Sequence, residues 1–311
     1  MIRRPVREEG LVAVLFRPSM PGPYPAVVVL GGGDGSLPER GAAVLAAQGY
    51  ATLALAYFGV RPLPRELVEV PLEYFAGAIR WMKAQPEVNP ERLAVMGSSK
   101  GGELALLLGA TYTEDISAVV GYVPSAVVYQ GISYNPWYSF YGPRSSWTLD
   151  GKPLPFLDVW PRPYDFVEWR SFPLPVWPFF TIWPSPRIPP FSFVRDFERP
   201  LENGSAVAAA SIPVERINGP VLLISGSDDQ LWPASRLSEM AIDRLKAHNH
   251  PFYYEHLLYE GAGHMILMPG FEGVDPPDFL EVGGTPEMNG RASAHSWSRV
   301  LIFLEEYLSS R

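Results

Sequence analysis

The residues best equipped for covalent chemistry are Gly97-Ser98-Ser99-Lys100-Gly101, a G-x-S-x-G run with Ser99 at its centre. In a sharp strand-to-helix turn such a serine offers its hydroxyl at the positive end of the helix, and small flanking residues let strand and helix approach. The backbone N–H of Lys100 then aims at the place where an oxyanion forms during attack on a carbonyl. Five letters alone are a common match. Here an apolar strand ends on Gly97 and an apolar helix begins beside Ser99, the context that such an elbow requires. Ser98, the alternative nucleophile, lacks the flanking glycines. The plain alternative is a Gly/Ser-rich turn with no chemistry.

A serine hydroxyl is a poor nucleophile at neutral pH and needs a histidine base, which a carboxylate usually orients. Of five histidines, His264 stands in Gly261-Ala262-Gly263-His264, a glycine-rich loop directly after the last strand, and is the expected base. His248 and His250 lie at a helix end, where solvated roles that complement the helix dipole are expected. His256 is expected to point out of a strand, and His295 to pack in the last helix. The expected acid is Asp229, in Ser225-Gly226-Ser227-Asp228-Asp229, where an apolar strand ends. Asp228 is the alternative, as a turn former or helix cap, and the two can exchange roles. Gly31-Gly32-Gly33-Asp34-Gly35 lacks the Lys-Ser/Thr of a phosphate-binding loop and does not match G-x-G-x-x-G. Beside the elbow it reads as the second half of an oxyanion hole, through the N–H of Gly32 or Gly33; its alternative is a plain glycine turn. No cofactor and no metal ion enter this chemistry.

These loops need a rigid frame. Leu11 to Phe16, Ala26 to Leu30, Ala51 to Tyr57, Leu93 to Met96, Ile116 to Val123, Pro220 to Ile224 and Tyr253 to Leu258 read as strands. Pro38 to Gln48, Leu67 to Gln85, Gly101 to Ala110, Ala234 to Ala247 and Ala292 to Leu308 read as helices. Strands alternating with helices mean an α/β fold, a mostly parallel sheet with helices on both faces, whose ligands sit at the carboxyl edge of the strands. The rhythm breaks at Pro124 and resumes at Pro220. One α/β domain spanning residues 1–311, with an insertion over 125–205, explains this better than two domains, because the flanks share one rhythm.

The composition removes several other classes. With 47% hydrophobic and 19% charged residues the chain has ample apolar surface for a core. A net charge of −8 repels nucleic acid, and the Arg3, Arg4, Arg7 group is too short for a binding footprint. Zero cysteines exclude thiolate metal sites and cysteine nucleophiles. No run of 18 apolar residues and no signal peptide are visible, so no membrane span and a cytoplasmic location are the expectation.

Taken together, these residues resemble the C-terminal catalytic domain of the acyl-CoA thioesterase and bile-acid-CoA:amino-acid N-acyltransferase family. The likeness runs through PGPYPAVVVLGGGDG, LALAYFGVRPLP, LEYFAGAIRWMKAQPEV, MGSSKGGELALLLG, IPVERINGPVLLISGSDDQLWPAS and GAGHMILMP, roughly residues 10 to 125 and 205 to 310. The stretches Ser99 to Leu104 and Gly226 to Trp232 are more particular to that family than a bare G-x-S-x-G. The resemblance implies an α/β-hydrolase, dienelactone-hydrolase-like, with a triad on Ser99, Asp229 and His264, the chain order expected of that fold, acting on acyl thioesters. Animal members carry an N-terminal β-sandwich, and this chain is expected to start at the hydrolase domain. In that family amino-acid conjugation goes with a cysteine nucleophile, so serine at position 99 favours transfer to water.

The stretch from Tyr134 to Pro200 is unlike the corresponding family segment. Six of nine tryptophans lie between Trp137 and Trp183, and 12 of 34 prolines between Gly151 and Pro200. Such density opposes regular helix and central strand, so an extended wrapping held by aromatic packing is expected. As a lid over the catalytic edge it would exclude water and offer an apolar wall, with Trp137, Trp177, Trp183 and Trp232 as candidate substrate-contacting side chains. The other reading is a subunit interface, hence a homodimer, or a second small core. Coenzyme A would need local cations, for which Lys100, Arg61, Arg65 and the N-terminal arginines are the candidates. The expected function is hydrolysis of an acyl thioester, most directly acyl-CoA. The close rival is a carboxylesterase on small or medium apolar esters, and the reading from another class is a catalytically silent module that binds a ligand or partner.

Overall fold

The computed structural model describes residues 1–133, 142–159, 190, 192–269, 276, 278 and 280–308. Its strands are β1 (Ile2–Val6), β2 (Val12–Arg17), β3 (Tyr24–Leu30), β4 (Ala51–Ala56), β5 (Val70–Pro71), β6 (Val88–Ser98), β7 (Ala118–Tyr122), β8 (Trp147–Leu149), β9 (Lys152–Pro153), β10 (Val221–Gly226) and β11 (Tyr254–Tyr259). Its helices are α1 (Glu39–Ala47), α2 (Leu72–Lys83), α3 (Lys100–Thr111), α4 (Val194–Glu198), α5 (Gly204–Ala210), α6 (Ala234–Ala247) and α7 (Pro286–Leu308).

Among the described residues the large sheet has eight strands in the order β1-β2-β4-β3-β6-β7-β10-β11. From β4 to β11 neighbouring strands run parallel, while β1 and β2 are antiparallel additions at one edge. Parallel strands covered on both faces read as unbroken apolar runs, and β4, β7 and β10 are buried at every position. β1 was not evident from pattern. Its IRRPV sequence is charged and mostly exposed, which suits an edge strand and hides it from any search for apolar alternation.

Helices cover both faces. One apolar cluster joins the sheet to α2, α3 and α6 through Phe75, Ile79, Leu106 and Leu245. The other joins the opposite face to α1 and α7 through Leu45, Val300 and Leu304. The α/β architecture expected from the alternating pattern, a mostly parallel sheet with helices on both faces, is therefore present, as the resemblance to α/β-hydrolases also implies. Two helix starts differ from expectation. α2 begins at Leu72 because Val70–Pro71 pairs with β8, and Val70, preceding proline, is pushed towards extended backbone. α7 begins at Pro286, since its first two turns are polar and carry no apolar stripe to read, while proline suits the first helical turn.

Of the 125–205 stretch, the described parts are threaded into the main body. Trp147 is fully buried, its ring 5.8 Å from Tyr57 and 6.1 Å from Phe75. Isolated bridges tie Val127 to Ser211, Tyr129 to Leu157 and Gln130 to Ser145. Regular helix does occur near its end: α4 forms in VRDFE, a proline-free run, against the expectation for a proline-dense segment. Trp137, Trp177 and Trp183 lie outside the described residues.

Candidate active site

β3, β6, β10 and β11 all end at one edge of the sheet, and each runs into one of the loops singled out above. After β6, Ser99 adopts φ 57° and ψ −121°, a conformation that a non-glycine residue holds only under constraint. The constraint is visible. The Ser99 N–H donates to the Tyr122 carbonyl of β7 at 2.9 Å, and the Ser99 carbonyl accepts the Gly102 and Glu103 N–H groups at 2.8 and 3.0 Å. A Cβ at Gly97 would overlap the Gly101 carbonyl, and one at Gly101 would overlap that of Gly31. Elbow and glycine loop are thus packed backbone against backbone.

The structure brings Ser99, His264 and Asp229 into one hydrogen-bonded chain. His264 Nε2 is 3.0 Å from Ser99 Oγ, and His264 Nδ1 is 2.8 Å from Asp229 Oδ2. A carboxylate only accepts, so the ring proton sits on Nδ1 and Nε2 is left as the acceptor for the serine hydroxyl. The other oxygen of Asp229 accepts the N–H groups of Leu231 and Trp232 at 2.9 and 3.2 Å, which pins the carboxylate from behind. Asp228 takes a different part. Its carboxylate accepts the Gly284 N–H at 2.8 Å and the Gln230 amide at 3.0 Å, stitching the acid loop to the start of α7.

The glycine loop lies beside Ser99. A Cβ at Gly32 would come within 3.4 Å of Ser99 Cβ, so the Gly32 backbone runs directly alongside Ser99. As the first residue of α3, Lys100 has an N–H that no carbonyl of its own helix can take. Tyr57, at the end of β4, donates its hydroxyl to the Gly31 carbonyl at 2.6 Å. Burial, reinforced by the negative charges of Asp34 and Glu103, raises the Tyr57 phenol well above its usual range and keeps it a donor. Asn289 does the same service for the base: its side-chain oxygen accepts the Gly263 N–H at 2.7 Å, while the His264 N–H donates to the Val282 carbonyl at 2.7 Å. Tyr57, Asn289 and Val282 were missed in the sequence, where only the placement of Tyr57 at a strand's carboxyl end offered a signal.

Several expectations are corrected. Trp232 is only 2% exposed and donates its indole N–H to the Val123 carbonyl at 3.1 Å. Its ring stands edge-on to His264 at 6.0 Å, so it backs the base and is not an open wall for substrate. Lys100 is no phosphate ligand, because its side chain is buried and paired with Glu103 at 2.8 Å. Arg3 is paired with Glu39, Arg4 with Glu8, and Arg7 donates to the carbonyls of Val6 and Ala13. Of the named cations, Arg61 and Arg65 remain exposed. His250 is buried, with Nε2 on the Gly219 carbonyl at 3.0 Å, and is not solvated. His256 does not point away from the sheet's contacts: Nε2 lies 2.6 Å from Ser225 Oγ, and burial pulls its pKa down to about 4. Among the described residues no three His, Asp or Glu side chains are grouped to hold a metal ion. No helix among them is long and apolar enough to cross a membrane.

A family model described as BAAT / Acyl-CoA thioester hydrolase C terminal matches residues 70–136 and 191–310, a span that contains Ser99, Asp229 and His264. The chain belongs to this family. The unmatched gap, 137–190, coincides with the Pro/Trp-rich stretch. Among curated relatives the chain is 29% identical to the peroxisomal succinyl-coenzyme A thioesterase of Mus musculus, covering 99% of this chain and 66% of that protein. It is 30% identical to the mitochondrial acyl-coenzyme A thioesterase 2 of Mus musculus, covering 99% and 61%. The chain thus spans less than two thirds of the length of these relatives. Their names place them in different organelles, so family membership sets no compartment for this chain. Among solved structures, a dienelactone hydrolase-like promiscuous phosphotriesterase from metagenomic libraries aligns with TM-score 0.54 at 17% identity over 96% of this chain and 92% of that one. A putative dienelactone hydrolase from Klebsiella pneumoniae aligns with TM-score 0.55 at 16% identity over 98% of both chains. These likenesses concern the fold alone.

Proposed function

We propose that the chain is a serine hydrolase of acyl thioesters, with acyl-CoA as its first substrate class, working in one α/β-hydrolase domain into which 125–205 is inserted. The observation that carries this reading is the Ser99–His264–Asp229 chain of hydrogen bonds beside the glycine loop and the start of α3. Ser99 Oγ attacks the thioester carbonyl carbon as His264 Nε2 takes its proton, and Asp229 holds the resulting imidazolium. The N–H groups of Lys100 and of Gly32 or Gly33 receive the oxyanion; one such donor is worth about 3 to 4 kcal/mol of barrier. The intermediate collapses, the C–S bond breaks, and the thiol leaves with the proton from His264. Water then attacks the acyl-serine with His264 again as base, releasing the carboxylic acid and the free hydroxyl.

Family membership and relatives named for acyl-CoA hydrolysis support the thioester. A carboxylesterase is favoured by one observation: most of the cations named above are already engaged by carboxylates or carbonyls, which leaves little positive charge for coenzyme A's phosphates. Steady-state rates on acyl-CoAs against matched simple esters decide between them; preference for the simple esters selects the esterase. Ser99→Ala is expected to lower kcat by roughly 10⁴- to 10⁶-fold on either substrate. Covalent labelling of Ser99 by a fluorophosphonate is expected in the wild type, and its absence would mark a silent fold.

A further inference from the structure

Directly behind the nucleophile lies a buried charge pair that the mechanism above does not use. The side chains of Lys100 and Glu103, in the first turn of α3, are 5% and 0% exposed. Lys100 Nζ donates to both oxygens of Glu103, at 2.8 and 2.9 Å, and to the Tyr129 carbonyl at 3.3 Å. Glu103 in turn accepts the indole N–H of Trp147 at 2.8 Å and the Tyr129 N–H at 3.4 Å. Burial pulls Lys100 down and pushes Glu103 up, and each shift is opposed by the partner's charge. Such a pair is costly to desolvate, and an apolar pair of similar volume is commonly as stable or more so, so stability alone does not account for it. What ions supply, and an apolar pair would not, is directed bonds to one crossing segment.

That segment leads back to the site. Three residues after Tyr129, Ile132 is clamped to Leu67 by two backbone bonds, at 3.0 and 2.8 Å. Its Cδ1 sits where a Cβ at Gly33 would be only 2.7 Å away, so Ile132 bears directly on the glycine loop. We propose that Lys100 and Glu103 are positioning residues for the reaction at Ser99: the pair holds Tyr129, the Tyr129-to-Ile132 run braces Gly33, and the brace sets the second oxyanion donor against the Lys100 N–H. Neutralisation of Glu103 by Lys100 also keeps a bare negative charge away from the developing oxyanion. This inference rests on the reading of Ser99 as nucleophile.

Three variants test it: Glu103→Gln, Trp147→Phe, and the doubly apolar Lys100→Met/Glu103→Leu, which removes both charges together and so keeps the test open if the single charge change fails to fold. Each is checked for folding by circular dichroism, then measured for kcat, KM, pH–rate profile and the rate constant of fluorophosphonate labelling at Ser99. The expected result is a fall of roughly 10- to 100-fold in kcat and labelling rate for Glu103→Gln and the double variant, with KM within about threefold. Trp147→Phe, which loses the indole donor but keeps an aromatic ring in the site, moves the same way by less. The pH–rate profile is compared for the double variant, which leaves the net charge unchanged, and its midpoint is expected to stay put. A folded double variant with wild-type kcat and labelling rate would reduce the pair to scaffolding, and a displaced pH midpoint would route its effect through His264; either overturns the inference while the Ser99 reading stands. An unlabelled wild type overturns that reading and this inference with it.

Discussion

On the nucleophile side, Ser99 is held by residues within five positions of itself and by the strands next door, through the packed glycines 97 and 101 and the bond to Tyr122. On the acid–base side, Asp229 and His264 are held by side chains and carbonyls from well separated stretches: Asp228 reaches Gly284, Asn289 reaches Gly263, and Val282 takes the His264 N–H. Neither side has room for an added methyl group: a Cβ at Gly226 would overlap the Ala262 carbonyl, and one at Gly263 that of Gly283. The sides differ in what holds them, local backbone packing at the elbow and side-chain hydrogen bonds across distant stretches at the acid–base loops. In the proposed reaction the elbow must place an oxygen and an N–H relative to one another, which needs rigidity, whereas the imidazole would exchange protons with serine and leaving group and tolerate some travel.

The largest expected effect breaks the rigid side. Gly97→Ala puts a Cβ into the Gly101 carbonyl, and the elbow must shift to admit it. A loss of about 100- to 1,000-fold in kcat is expected from the displaced donor, with destabilisation of about 3 kcal/mol. Kinetics and urea denaturation measure the two, and a near-wild-type rate would show that the elbow yields after all. Next, Asn289→Ala leaves the Gly263 N–H without its acceptor. A stability loss of about 1 to 3 kcal/mol and a fall of about tenfold in kcat are expected. If this variant lost as much activity as Gly97→Ala, the contrast between the two sides would collapse.

The smallest effect at neutral pH concerns His256, which lies beside the strand leading to Asp229. Its folded pKa of about 4 lies below the ordinary 6.5, so the unfolded chain binds the proton first as pH falls. The stability this neutral ring contributes is complete above pH 6.5 and is lost progressively down to about 4. The full shift would be worth about 3 kcal/mol, and nearer 2 once the ring's partial contact with water is allowed for. His256→Gln can still bond Ser225 but does not titrate. It is expected to flatten the fall of Tm across that window while leaving activity at pH 7.5 unchanged; parallel Tm curves would mean that the ring titrates normally in the fold.

Much of the frame was legible because parallel strands buried on both faces announce themselves as apolar runs. Ser99, His264 and Asp229 stood out for a related reason, each lying in a small-residue loop just past such a run. Lys100 shows where this reasoning stops. Its backbone N–H follows from its place after Ser99, but its side chain, read as a surface cation, turns inward to Glu103 because the first turn of α3 is covered by Tyr129 and Trp147. Trp232, whose aromatic surface suggests a substrate contact, instead turns inward because the Val123 carbonyl supplies its hydrogen-bond acceptor. Asp228 and Asp229 are adjacent and chemically alike, and only the direction in which each side chain leaves the turn separates them.

By itself the sequence determined the α/β alternation and the elbow's backbone, since both follow from sterics and burial acting over a few consecutive residues. It also narrowed the base and acid to a handful of side chains. The folded structure alone decided that His264 meets Ser99 across 165 residues of chain, that Asp229 and not Asp228 faces the imidazole, and that Lys100 is spent on an internal pair. Those contacts depend on the order in which strands join the sheet and on the register between them, and no local stretch of residues carries that information.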